Sequence, residues 1–289
     1  MSNHLDPFEA FYQTASFWKG KLAGIQQFPL SNFDFSHRSS IDECLELPTI
    51  PTGTVLGKRV ESFFKFCVGR SSNYELLIAN EQIFRGKETI GEIDFIIQEN
   101  SSGRVLHVEL VYKFYIYEKG KSFQTAVLNP DQNQALSFYV GPNRRDYFIK
   151  KFEHLSTRQL PLLQETETQE RLMELGIPID SIQQQVCFLA HVFIPRESWR
   201  DHFAYLNKKC IVGYYMDEFA FAKAETDNTY FLPQKKQWPL KPQPLEPFLS
   251  HPEALNLAKA SLKRGFAPLL WMQLPEGTFE SFFVVAART

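Results

Sequence analysis

Cysteine is scarce: the 289 residues hold four, Cys44, Cys67, Cys187 and Cys210. No two stand at CxxC spacing, and no pattern with the seven histidines suits zinc, which argues against a disulfide-stapled or zinc-ribbon protein. They read as reduced thiols of a cytosolic protein. No apolar run approaches the ~20 residues that a transmembrane helix needs. The N-terminus, MSNHLDPFEAFYQ, lacks the positive-then-apolar pattern of a signal peptide. A cytoplasmic location is the expectation. Net charge is small too, −2 with a pI near 6.4, so nothing pulls the whole chain toward nucleic acid or an anionic membrane. Any nucleic-acid contact must come from a local basic patch. No P-loop, Rossmann fingerprint, Gly-x-Ser-x-Gly elbow or HExxH occurs, which argues against the chemistries those motifs carry. There is no internal repeat.

Aromatic residues are abundant, with 27 phenylalanines, so an aromatic-rich core is expected. Residues 6–24 predict a helix, with Asp6 as cap, Pro7 at the first position and Glu9 at capping-box spacing. Residues 26–55 read as irregular. Residues 55–68, VLGKRVESFFKFCV, predict an amphipathic helix with Glu61 at the edge of its apolar stripe. Residues 73–85 predict a strand.

The stretch GEIDFIIQENSSGRVLHVELVYKFYIY then predicts two strands joined at Asn100-Ser101-Ser102-Gly103. Charged residues are rarely buried without a partner or a task. Asp94, Glu109 and Lys113 all sit inside these apolar strands. Side chains alternate along a strand, so His107, Glu109, Val111 and Lys113 share a face. Two carboxylates and a lysine on adjacent strands can hold a divalent metal and activate water. Plainer readings stand beside this one. Asp94 can be satisfied by backbone amides, and Glu109 and Lys113 can form a solvated face. His107 can be a ligand, a proton shuttle or a packed strand histidine.

Further on, residues 118–142 read as irregular or extended. A helix is expected over about 144–160 and another over 166–176, followed by the strand QQVCFLAHVFIP. The last third is β-rich and aromatic. Prolines from Pro233 to Pro252 mark a linker or an ordered extended connector. Residues 250–265 carry a clear helix signal, with Ser250 as cap, Glu253 at capping-box spacing and Gly265 at the C-terminal stop. The pairs Lys58-Arg59, Arg144-Arg145, Lys150-Lys151, Lys208-Lys209 and Lys235-Lys236 can form a phosphate-tracking groove or plain solvated faces. Tyr214, Tyr215 and Trp238 can stack bases or pack in a core.

The helix–strand–strand–strand order carrying Glu61, Asp94, Glu109 and Lys113 resembles the PD-(D/E)XK superfamily of restriction-endonuclease-like folds, over roughly residues 52–160. The resemblance implies Mg²⁺ or Mn²⁺ held by Asp94, Glu109 and Glu61. It implies Lys113 as the catalytic cation, and Gln132 or Gln134 as a polar group from the following helix. One position departs from the pattern: two residues after Glu109 stands Val111. Lys113 is one pleat further, ~13 Å from Glu109 along an ideal strand instead of ~6.6 Å. A β-bulge can shift it, or Lys150 or Lys151 can replace it. Through HVELVYKFYIY, GPNRRDYFIKKFEHLSTRQL, CIVGYY and FFVVAA the chain also resembles a bacterial family known as domain of unknown function 1853.

The expected fold is therefore α/β or α+β, a restriction-endonuclease-like mixed sheet flanked by helices with a β-rich C-terminal elaboration. The expected divisions are an N-terminal extension to residue 51, a nuclease-like core over 52–160 and a C-terminal half over 161–289 packed on it. The expected function is that of a metal-dependent phosphodiesterase acting on DNA or RNA. The alternatives are an inactive nuclease-fold module that binds nucleic acid or a protein, and an interaction protein with a Phe-rich surface.

Overall fold

A computed structural model describes residues 5–34, 47–120, 122–224, 227–242 and 247–288. Cys44 and the cap Asp6 lie outside the residues whose side chains are described. In chain order the elements are α1 (Leu5–Tyr12), β1 (Lys21–Leu22), β2 (Ile25–Gln27), α2 (Leu56–Arg70), β3 (Tyr74–Arg85), β4 (Glu88–Glu99) and β5 (Val105–Tyr117). Next come α3 (Pro130–Leu136), β6 (Tyr139–Val140), α4 (Phe148–His154), α5 (Thr166–Glu174) and β7 (Gln183–Pro195). The last are β8 (Ile211–Asp217), α6 (Glu218–Ala222), β9 (Thr229–Phe231), α7 (His251–Lys263), β10 (Leu269–Gln273) and β11 (Phe279–Val285). This is a mixed α/β fold, with eleven strands and flanking helices among the described residues.

The chain forms two compact units, residues 1–112 with 151–189, and residues 113–150 with 190–289. In the first, β3, β4 and β5 pair antiparallel in sequence order, and β2 runs parallel to β7. The β4–β5 turn is the expected one, with Gly103 at φ +70°, a conformation that favours glycine. Helix α2 buries Val60, Phe63, Phe64, Cys67 and Val68. Phe64 meets Phe95 of β4 with ring centroids 4.5 Å apart. Each such buried phenylalanine contributes roughly 1.5–3 kcal/mol by leaving water. Phe95, Ile97, Leu106 and Val108 belong to that core. The opposite face of the hairpin puts Ile96 and Val105 against Leu162 and Leu163.

In the second unit β7, β8 and β11 pair parallel, and β11, β10 and β9 pair antiparallel. Helix α7 has the expected capping box between Ser250 and Glu253, and its chain leaves through Gly265 at φ +82°.

Three expectations change. The helix predicted over 6–24 ends at Tyr12, because the chain beyond it is drawn onto β7: Ser16 bridges Leu189, and the Phe17 amide donates to the Phe188 carbonyl at 2.8 Å. The stretch 118–142 is not wholly irregular, since Asn129 and Gln132 close a capping box on α3. The helix expected over 144–160 starts only at Phe148, after a loop that bridges Val140 to Tyr147 and holds Arg144 at φ +55°. It then widens into a π turn at Leu155–Gln159 and tightens into a 3₁₀ turn at Leu160–Gln164.

Candidate active site

The β4–β5 register runs from Gln98 opposite Val105 to Phe95 opposite Val108. One step further would set Asp94 opposite Glu109. The ladder stops there. The Leu110 amide donates to Asp94 Oδ2 at 2.8 Å. Asp94 is thus satisfied in part by backbone, as its plainer reading allowed, yet it stays within electrostatic reach of Glu109. Burial first, and then the Glu109 charge, push its carboxyl up to about 8, with smaller contributions from Glu61 and Glu92.

Glu109 and His107 are both fully buried. Their side chains, two residues apart on one strand face, meet at 2.9 Å between His107 Nε2 and Glu109 Oε1. Gln184 of β7 reaches His107 Nδ1 at 3.1 Å through the same Nε2 that donates to the Leu160 carbonyl at 2.5 Å. A carbonyl can only accept, so the amide nitrogen faces both groups and Nδ1 accepts. The imidazole proton therefore sits on Nε2 and points at Glu109. Gln159, in the π turn, donates to the other oxygen, Glu109 Oε2, at 2.5 Å. Its own carbonyl oxygen takes Lys151 Nζ at 2.5 Å and lies 3.2 Å from His154 Nδ1. Wide turns inside α-helices recur at functional sites, because they re-aim one side chain without ending the helix.

A second polar group lies at the start of α2. Lys58 Nζ stands 2.7 Å from Glu61 and 3.4 Å from Glu92. Asn80 donates to both carboxylates, at 2.8 and 3.2 Å, from a backbone at φ +55°. The hydrogen bond that Lys58 donates to Glu61 raises its ammonium pKa above the usual range.

The other expected residues belong to the second unit. Lys113 pairs with Asp146 at 2.5 Å. Lys150 lies 4.9 Å from the Phe123 ring centroid and 5.4 Å from that of Tyr147. Gln132 is engaged in the α3 cap, and Gln134 is exposed. Val111, at the position where the nuclease pattern has lysine, is 2% exposed. The lysine that the first unit brings toward Glu109 is Lys151, by way of Gln159.

Four contributors were not expected from sequence: Gln159, Gln184, Glu92 and Asn80. Asn80 carries a readable signal, a polar turn-former inside the strand NYELLIANEQIFR. Gln184 is one of three consecutive glutamines, and Gln159 sits in an ordinary helical run, so neither is marked locally.

These placements span most of the sequence, as one family does. The chain belongs to the family described as domain of unknown function DUF1853. Its family model matches residues 6–279, which covers both units. No curated protein and no solved structure matches this DUF1853 chain. Among the described residues, no three His, Cys, Asp or Glu side chains stand in an arrangement that would enclose a metal ion. The acids nonetheless offer hard oxygen donors, the donor chemistry of Mg²⁺ or Mn²⁺. Such an ion takes one or two carboxylates and fills its other positions with water.

Proposed function

We propose that this DUF1853 protein is a metal-dependent phosphodiesterase acting on nucleic acid, with a restriction-endonuclease-like arrangement in its first unit. The observation that carries the reading is the place where β4 and β5 part. There Asp94, half-buried and fixed by the Leu110 amide, lies beside Glu109, a buried carboxylate held on both oxygens. A partially desolvated carboxylate beside a second acid, with raised proton affinity, is the kind of group that functional sites are built from.

Asp94 and Glu109 would hold the ion, with Glu61 as a further carboxylate. When bound, a divalent ion polarises a phosphate and lowers the pKa of a water. The chain's own residues do the rest. His107 donates a hydrogen bond from Nε2 to Glu109 Oε1 and sets the carboxylate plane. Gln159 holds Oε2 and stations Lys151. Lys151 places positive charge where a phosphoryl oxygen would gain it, the role that Lys113 was expected to fill.

Buried Val111 and the Lys113–Asp146 pair favour a second reading, a nuclease-like module that binds without cleaving. One experiment separates the two. Labelled single- and double-stranded DNA and RNA are incubated with Mn²⁺ or Mg²⁺ and wild type, Asp94→Asn or Glu109→Gln. Cleavage by the wild type that both substitutions reduce by at least about 10²-fold supports the enzyme. Binding without cleavage supports the module, and cleavage unchanged by either substitution removes this site from consideration.

A further inference from the structure

Three of the chain's four tryptophans, Trp199, Trp238 and Trp271, line one cavity of about 460 Å³ in the second unit. The site chemistry above uses none of them. Trp271 is 8% exposed, and its buried Nε1–H has no hydrogen-bond partner among the described residues. An unmet buried donor is costly, so the cavity wall is suited to an acceptor brought from outside. Trp238 is fixed edge-on by Phe114 at 5.2 Å and Phe283 at 5.0 Å between centroids. Trp199 is 52% exposed. Gly213 forms part of the wall. A Cβ there would fall 2.2 Å from the Ser281 carbonyl and 2.7 Å from the Phe193 ring, so glycine lets that ring lie against the strand.

The tryptophans come with positive charge. Trp199 sits in the 3₁₀ turn Arg196–Arg200. Trp238 follows Lys235 and Lys236, and Lys235 Nζ is 5.8 Å from its ring centroid. Lys241 also lines the cavity. Glu197, Asp201 and Glu280 are the acidic neighbours, and Glu280 lies 4.0 Å from Arg196. Along the chain, basic residues outnumber acidic ones beside Trp199 and Trp238, while the cavity wall itself holds one of each, Lys241 and Glu280. Aromatic platforms interleaved with lysine and arginine are how proteins grip unpaired bases, because every base has a π face and every linkage a phosphate.

We infer that this cavity takes an unpaired base of single-stranded nucleic acid. Trp199 and Trp238 supply stacking surfaces, the Trp271 Nε1–H donates to a ring nitrogen or carbonyl of the base, and Lys235, Lys236 and Lys241 face the backbone phosphates. In its choice of polymer the inference rests on the nucleic-acid reading above. A duplex hides its base faces, so the site favours single strands.

The test is fluorescence anisotropy of labelled single-stranded oligonucleotides of roughly 12 nucleotides, and of a duplex of equal length, titrated in EDTA. Without metal, binding is read apart from hydrolysis. The single strand should bind more tightly than the duplex. Trp199→Ala should weaken it at least about fivefold, the low end of the loss when a stacking aromatic is removed. Trp199→Phe should restore most of that loss, which a fold defect would not. Lys241→Glu should weaken binding and flatten its salt dependence. No binding by the wild type, equal binding of duplex, or an unaffected Trp199→Ala variant overturns the inference. Single strands bound through Trp199 with no cleavage under Mn²⁺ would leave this site standing and remove the phosphodiesterase. Cleavage that is indifferent to Trp199→Ala would do the reverse.

Discussion

Gln159 and Glu109, fifty residues apart in the chain, meet at 2.5 Å between Nε2 and Oε2. The contact fixes one oxygen of the buried acid and links it to Lys151. Gln159→Leu keeps the volume and deletes the donor. Its expected effect is a ~10–100-fold loss of Mn²⁺ affinity, the usual loss when an outer hydrogen bond to a metal ligand is removed. Isothermal calorimetry against the wild type measures it.

His107 holds the other oxygen. His107→Phe would leave Glu109 Oε1 buried and unpaired. The expected loss is roughly 1–3 kcal/mol, toward the upper end because the acceptor is a carboxylate. Urea unfolding reads it. The double variant His107→Phe with Glu109→Leu should recover part of the loss, since no unpaired charge remains.

Asp94 gives a pH signature. Its folded-state pKa, about 8, lies above its ordinary value of 3.8. The folded protein therefore binds this proton more tightly than the unfolded chain, and ionising Asp94 costs stability. The contribution is fully present below about pH 4 and is lost as pH rises toward about pH 8 and beyond. In EDTA, the melting temperature of the wild type relative to Asp94→Asn should fall across that window. A constant difference would show that Asp94 ionises in both states alike.

Lysine roles separate by substitution. Lys151→Ala should reduce Mn²⁺-dependent cleavage by about 10²-fold or more if it stabilises charge in the transition state. Lys113→Ala removes a half-exposed pair with Asp146 and should change cleavage little. The stability effect of losing that pair should stay within about 1 kcal/mol. Cleavage rates of the two variants on one substrate decide between them.

Much of this was legible in the chain. Helix α2 and strands β3, β4 and β5 follow from hydrophobic period and turn residues, and the α7 cap follows from Ser250 and Glu253. Those signals are local, and local preference agrees with the packed structure there. Asp94 and Glu109 were visible because charge inside an apolar strand is rare. What could not be read is long-range. The helix after Tyr12 is lost because β7, more than a hundred and fifty residues later, takes its backbone amides. Lys113 and Lys151 could not be ranked from spacing. Which of them is linked to Glu109, through Gln159, depends on a π turn that no local residue announces. Gln159 and Gln184 are common residues whose importance comes only from what they touch.

The most direct test of the account is a calorimetric titration of the metal-free protein with Mn²⁺, at about pH 8, where Asp94 can yield its proton. Wild type should bind one Mn²⁺ or more, releasing protons, and Asp94→Ala and Glu109→Ala should each abolish the binding. Wild-type binding that survives both substitutions, or no binding with or without an oligonucleotide supplying phosphate, would contradict it.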